Sequence, residues 1–278
     1  MSESAPPIAA RWRALGKSRA LIPYLTAGFP TPVVALEALR RVVDAGADFV
    51  EVGVPFSDPL ADGPVVQRAG TRALAAGATV PRVLETVAAL RAEIDVPLVL
   101  LTYYNPVLAF GLKAFARTAV DAGVDGAIVV DMPPEESEPL GAEAATAGLD
   151  LVYMLAPTST APRVRLIAKK SRGFIYVVSL TGVTGERQEL PADLATQIGM
   201  LRGVTTTPVC VGFGISTPAQ VAAVGRIADG AIVGSAIVRL VEARAGSSSL
   251  VDDVGKFIAE LKAPLREPLP TSPIRTRR

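Results

Sequence analysis

Short apolar runs of strand length alternate along the chain with longer, alanine-rich segments whose apolar residues recur at helical spacing. A period of two marks a half-buried strand and a period near 3.6 marks a helix, so the alternation predicts successive βα units. Eight runs carry the strand signal: Leu21 to Thr26, Phe49 to Val54, Pro97 to Tyr104, Ala127 to Val130, Leu151 to Leu155, Phe174 to Ser179, Val209 to Phe213 and Ala231 to Val233. Most lack a polar residue at every second position, as a parallel sheet covered on both faces requires.

The connectors into the strands repeat. Asp44-Ala45-Gly46-Ala47-Asp48, Asp121-Ala122-Gly123-Val124-Asp125 and Thr146-Ala147-Gly148-Leu149-Asp150 each precede an apolar run. Glycine there supplies the left-handed residue that ends a helix before the chain turns into the next strand. Eight such units close most economically as a (β/α)8 TIM barrel, with a doubly wound open sheet as the structural alternative. Two connections on the strand-end side read as long loops, Pro55 to about Thr71 and Leu180 to about Pro191, on the face where barrel enzymes carry lids and catalytic groups. From about residue 264 to 278 the sequence turns to proline and arginine and is expected to be a disordered tail on a single domain spanning 1–278.

Composition narrows the chemistry. With 28 basic and 27 acidic residues the net charge is +1, which gives no overall field for a polyanion. The most apolar stretch, Val96 to Leu112, is broken by Thr102, Asn105 and Pro106 and reads as a buried strand plus loop rather than a membrane span. Met1 to Pro7 has no basic patch leading into an apolar segment, so a cytoplasmic location is expected, and the single cysteine, Cys210, fits a reducing compartment. Histidine is absent, which removes the commonest metal ligand and general base. No metal site is expected. The lysines, at 17, 113, 169, 170, 256 and 262, all fall in segments read as helix or helix flank, so no Schiff-base amine stands at a strand end.

Carboxylates remain. Glu51 sits in Phe49-Val50-Glu51-Val52-Gly53-Val54, where every neighbour is apolar, and it shares strand parity with Gly53. At the carboxyl end of a barrel strand it would point into the mouth, with a raised pKa suited to acid or base work. A glutamate reaching solvent or an arginine is the competing reading. The loop beyond carries Asp58 before Pro59 and Asp62 before Gly63, placements that turn conformation alone also explains. Gly182-Val183-Thr184-Gly185, Gly212-Phe213-Gly214-Ile215-Ser216 and Gly234-Ser235 follow the last three runs, where barrels hold phosphate groups on backbone N–H groups at a short helix N-terminus. Ser235 is expected to cap that helix. Tyr24, Tyr103, Tyr104 and Tyr176 lie in or at the ends of the runs, with Met154 and Phe213 at comparable depth; they read as core, some of them able to wall a flat aromatic ligand.

The run from Glu51 to Pro64, EVGVPFSDPLADGP, resembles the central motif of tryptophan synthase alpha chains. Pro23-Tyr24-Leu25-Thr26-Ala27-Gly28, Asp131-Met132-Pro133-Pro134-Glu135-Glu136, Ser179 to Gly185, Gly212 to Ser216 and Gly234 to Val238 resemble further blocks of that family, in its order, so the likeness spans roughly residues 10 to 262. It implies a lyase of tryptophan biosynthesis that splits indole-3-glycerol phosphate into indole and glyceraldehyde 3-phosphate by retro-aldol chemistry. It further implies catalytic roles for Glu51, Asp62 and Tyr176, phosphate binding by Gly185, Gly214, Gly234 and Ser235, and an indole pocket at Tyr24, Met154 and Phe213. No cofactor is implied in this chain; pyridoxal phosphate belongs to a beta subunit, with which the chain would form an alpha2beta2 heterotetramer through the loops at 55–71 and 180–191. Phe29 departs from the aspartate that many members carry after Gly28. Other readings are a stand-alone indole-releasing lyase, another phosphate-binding barrel such as a sugar-phosphate isomerase or a flavin-phosphate enzyme, and a non-catalytic activator of a partner subunit.

Overall fold

The structure, a computed structural model, describes residues 7–179 and 193–266. Its strands are β1 (Ala20–Thr26), β2 (Val50–Gly53), β3 (Leu98–Thr102), β4 (Gly126–Val129), β5 (Asp150–Val152), β6 (Met154–Leu155), β7 (Ile175–Val178), β8 (Val209–Gly212) and β9 (Gly230–Val233). They pair in the order β5-β4-β3-β2-β1-β9-β8-β7-β6, all parallel. β5 and β6 are two pieces of one stave flanking Tyr153, whose carbonyl still accepts the Tyr176 N–H at 3.1 Å. The sheet therefore closes on itself as an eight-staved (β/α)8 barrel, and the open-sheet alternative falls away.

The helix-to-strand glycines behave as their spacing predicts. Gly46, Gly123 and Gly148 have φ of +109°, +92° and +85°, a region that costs a side chain of L configuration but not glycine. Beside two of them stands a second device at the amino-terminal end of the barrel. Asp48 accepts the Leu21 N–H, Asp125 the Leu98 N–H and Asp229 the Val209 N–H, each at 2.8 Å. Each carboxylate also meets an arginine: Arg11, Arg91 and Arg202 respectively. Lys262 completes the Asp48 cluster, so this lysine is occupied at the end opposite to the strand exits. The helix Pro7–Leu15 closes that same end, with Ile8 fully buried and Trp12 packed on Phe49 at a centroid distance of 4.7 Å.

Three expectations are corrected. The segment read as a loop to Thr71 becomes helix at Pro64, in Pro64–Ala75, because proline at the first helical position needs no N–H partner and Val66, Ala69, Gly70 and Ala73 form a buried stripe. The third run ends as a strand at Thr102, and Tyr104 begins the helix Tyr104–Phe110, its N–H taken by Asp131 at 2.7 Å. At the carboxyl end, residues 264–266 are ordered: Ala263–Leu265 is a 3-10 turn and Leu265 is fully buried, an apolar anchor strong enough to hold the chain past Pro264. The tail beyond Arg266 lies outside the described residues.

Candidate active site

Glu51 leaves β2 between two valines, and its register partners are Tyr24 on β1 and Val99 on β3. Its side chain is fully buried and neither carboxyl oxygen has a hydrogen-bond partner among the described residues. Its charge is felt by Tyr24 on β1, Tyr176 on β7 and Cys210 on β8. Only a side chain directed into the barrel can lie near β8 and β7, the latter standing directly across from its own strand. Burial pushes its carboxyl up to about 8, so at neutral pH it holds a proton.

Asp62 stands at the end of the loop that follows β2, one residue before the Gly63 that caps Pro64–Ala75. The loop turns on itself: Asp58 O accepts the Leu60 N–H at 2.9 Å, and Pro59 O accepts the Asp62 N–H at 3.1 Å. Asp58 is exposed and bonded by the Ser57 hydroxyl, in keeping with a turn role. Burial pushes the Asp62 carboxyl up to about 6, while a hydrogen bond from Tyr103 pulls the other way. The site thus holds one carboxyl that is neutral near pH 7 and one that is ionised, the division of labour that acid/base chemistry uses.

Tyrosines line the space between them. Burial raises the Tyr24 hydroxyl, with the Asp62 charge adding to it, and burial raises the Tyr176 hydroxyl, with the Glu51 charge next. Both stay neutral phenols. Tyr24 shares a hydrogen bond with Thr26 at 3.2 Å. Tyr176 pairs in register with Met154 on β6, and its ring meets Phe213 edge-on at 5.9 Å. Phe213 is unusual in having φ of +69°, followed by Gly214 at +77°; the Ser179 hydroxyl donates to the carbonyls of Gly212 and Phe213 at this bend. A non-glycine residue held in the left-handed region marks a place where the surroundings dictate the backbone.

The loops bearing Gly214 and Gly234 leave adjacent strands, β8 and β9. Gly234 caps the helix Ser235–Ala243, and a Cβ there would come within 3.3 Å of the Tyr24 ring, so these two residues are neighbours. Ser235 is the first helical residue and not the cap; no side chain caps this end, which leaves backbone N–H groups at the helix start without a side-chain partner from the cap. Gly185 lies outside the described residues, as does the connection 180–191.

A carboxylate pair in a barrel mouth is shared by several chemistries, and comparison with known proteins decides among them. The family model described as tryptophan synthase alpha chain matches residues 13–266. The tryptophan synthase alpha chain of Geobacter sp. (strain M21) is 47% identical over 88% of this chain and 91% of its own length. That of Solibacter usitatus is 50% identical over 88% and 91%. Among solved structures, tryptophan synthase subunit alpha from Legionella pneumophila superposes with a TM-score of 0.86 at 33% identity, covering 94% of this chain and 99% of its own. Tryptophan synthase from M. tuberculosis in an aminoacrylate-bound form gives 0.84 at 33% identity, over 94% and 100%.

The chain belongs to the tryptophan synthase alpha chain family. Its activity is accordingly that of a lyase of tryptophan biosynthesis, the cleavage of indole-3-glycerol phosphate. Among the sequence-selected residues, the barrel brings Glu51, Tyr24, Tyr176, Met154 and Phe213 to one end together with Asp62. Three others escaped notice as working parts. Gly53 and Gly212 lie where a Cβ would strike the hydroxyl ends of Tyr24 and Tyr176. The signal was present as a glycine two residues beyond Glu51 and another two beyond Cys210 at strand ends, each beside a tyrosine-bearing strand. Tyr103, read as core, is also bonded to the loop that carries Asp62.

Proposed function

We propose that Glu51, Asp62 and Tyr176 carry the retro-aldol cleavage and that Gly214, Gly234, Ser235 and Gly185 hold the substrate phosphate. Splitting the bond between indole C3 and the glyceryl carbon requires a proton on C3 and removal of the proton from the neighbouring hydroxyl. Glu51, neutral near pH 7, can supply the first, and as the resulting carboxylate it can take up the second. Charge developing at the indole nitrogen is stabilised by Asp62, ionised over the same range. Tyr24, Met154 and Phe213 wall the flat ring. The single observation that carries this reading is the fully buried Glu51 carboxyl with both oxygens unpartnered among the described residues, because such a group costs stability unless a ligand uses it.

The proposed partner is a tryptophan synthase beta subunit in an alpha2beta2 assembly, with pyridoxal phosphate held by that subunit and no cofactor in this chain. Leu60, 95% exposed at the tip of the loop after β2, and Leu108, 47% exposed on the helix after β3, present apolar surface on the face where indole would leave. Among the described residues no single helix is long and apolar enough to cross a membrane. The test is incubation with indole-3-glycerol phosphate while indole is assayed, with and without a beta subunit, for the natural sequence and for Glu51→Gln. The reading requires indole release by the former and at least a thousandfold loss, roughly 4 kcal/mol of barrier, in the latter; near-normal turnover of Glu51→Gln would reject it.

A further inference from the structure

Tyr103 lies at the exit of β3 and is 3% exposed. Its hydroxyl accepts the backbone N–H of Ala61 at 3.0 Å, and its ring packs on Phe56 with centroids 5.3 Å apart. Both partners belong to the loop after β2, so one side chain grips that loop at its start and at its end. Among the described residues the remaining polar contacts of the loop from Pro55 to Gly63 are local. They run from Ser57 and Leu60 to Asp58, from Asp62 to Pro59, and from Gln67, in the helix that follows, to the carbonyls of Pro59 and Asp62. Local contacts give the loop its shape; a contact from another stave fixes its place over the barrel.

The hydroxyl chemistry extends the argument by one residue. A phenol oxygen that accepts an N–H still carries its own proton, and a buried phenol proton needs an acceptor. The acceptor at hand is the Asp62 carboxylate, next in sequence to Ala61.

We propose that Tyr103 is the positioning residue of Asp62: anchored by the Ala61 N–H, it turns its hydroxyl proton to the Asp62 carboxylate and holds that anion over the barrel mouth. The proposal rests on the reading of Asp62 as the anion that faces the indole nitrogen. Among the described residues the ionisable groups facing Asp62 are Tyr24 from β1, Tyr103 from the β3 exit and Tyr176 from β7, with Glu51 on β2 beside them. The tyrosines are neutral, and of these groups Tyr103 is the one whose hydrogen bond draws the Asp62 carboxyl down against the effect of burial. Losing that proton donor while keeping the ring leaves burial unopposed.

Tyr103→Phe is the test, because it preserves the stacked ring and removes only the hydroxyl. Indole release is measured against pH for the natural sequence, Tyr103→Phe, Asp62→Asn and the double variant, and the Asp62 carboxyl is titrated by 13C NMR in the first two. We expect Tyr103→Phe to lower kcat/KM by about tenfold or more, the size of a lost hydrogen bond to a charged group. Its acidic limb should move to higher pH, with the Asp62 resonance moving likewise. Ionisation of the substrate phosphate is common to both proteins and cancels in the comparison. The double variant should be no worse than Asp62→Asn. An inactive Asp62→Asn beside a Tyr103→Phe with unmoved limb and resonance would overturn the role of Tyr103 alone. An active Asp62→Asn would overturn the reading of Asp62 itself and the proposal with it.

Discussion

The ring of Tyr24 fills the space in front of Gly53: its Cε2 atom stands 2.6 Å from where a Cβ on residue 53 would be, closer than side-chain carbons approach one another. The two residues sit on adjacent strands, where Tyr24 pairs with Glu51 and Thr26 with Gly53. The absence of a side chain at 53 is thus what lets an aromatic wall lie flat beside the buried carboxyl.

Gly53→Ala should therefore act through Tyr24. The strand is buried on every residue and cannot shift outward, so the ring must give way. Overpacking of this kind costs about 1 to 3 kcal/mol. The expected outcome is a loss of that size in urea unfolding together with weaker binding of substrate. A variant as stable as the natural protein would mean that Tyr24 swings aside freely and is no fixed wall.

Glu51 makes stability depend on pH in a direction opposite to that of most carboxylates. Its folded value of about 8 lies above the ordinary 4.5, so between those values the folded protein holds a proton that the unfolded chain has released. The contribution is fully present below about pH 4.5 and is lost as pH rises through about 8. At roughly 1.4 kcal/mol for each pH unit, the loss approaches about 4 to 5 kcal/mol. Glu51→Gln carries no such proton. Its stability should decline less over this window, leaving it the more stable protein at pH 8 and inactive at the same time. Parallel stability curves for the two proteins, followed by chemical denaturation from pH 5 to pH 8, would show that Glu51 is solvated.

How far the sequence revealed this site depends on the range of each interaction. Glu51 was visible because a carboxylate inside an unbroken apolar strand is costly wherever the chain goes. The eight staves were visible for the same reason, since burial on both faces is written into each run locally. The break at Tyr153 was not, because a ladder is interrupted by its neighbours and not by its own composition. Tyr103 read as core, and it is buried, but its grip on the loop was not visible because its hydroxyl partner is a backbone N–H 42 residues away, which leaves no trace in side-chain pattern. The helix from Pro64 was hidden by the glycine and proline that start it, residues that punctuate loops as readily as they open helices. Leu265 was overlooked because prolines on either side suggested a solvated tail.

Gly234→Asp separates substrate binding from folding. Aspartate is a favoured residue at helix cap positions, and Gly234 holds that position for the helix Ser235–Ala243 with φ of −118°, outside the left-handed region, so a side chain is accepted there. The new Cβ would lie 3.3 Å from the Tyr24 ring, a close contact that a few tenths of an ångström relieve. Folding should thus be little changed, within about 1 kcal/mol by thermal unfolding. A phosphate at the same helix start would instead meet a fixed negative charge in a site of low dielectric. KM for indole-3-glycerol phosphate should rise by about tenfold or more, with kcat less affected, because the repulsion acts on substrate and transition state alike. An unchanged KM in a folded variant would place the phosphate away from β9, and the roles proposed for Gly234 and Ser235 would go with it.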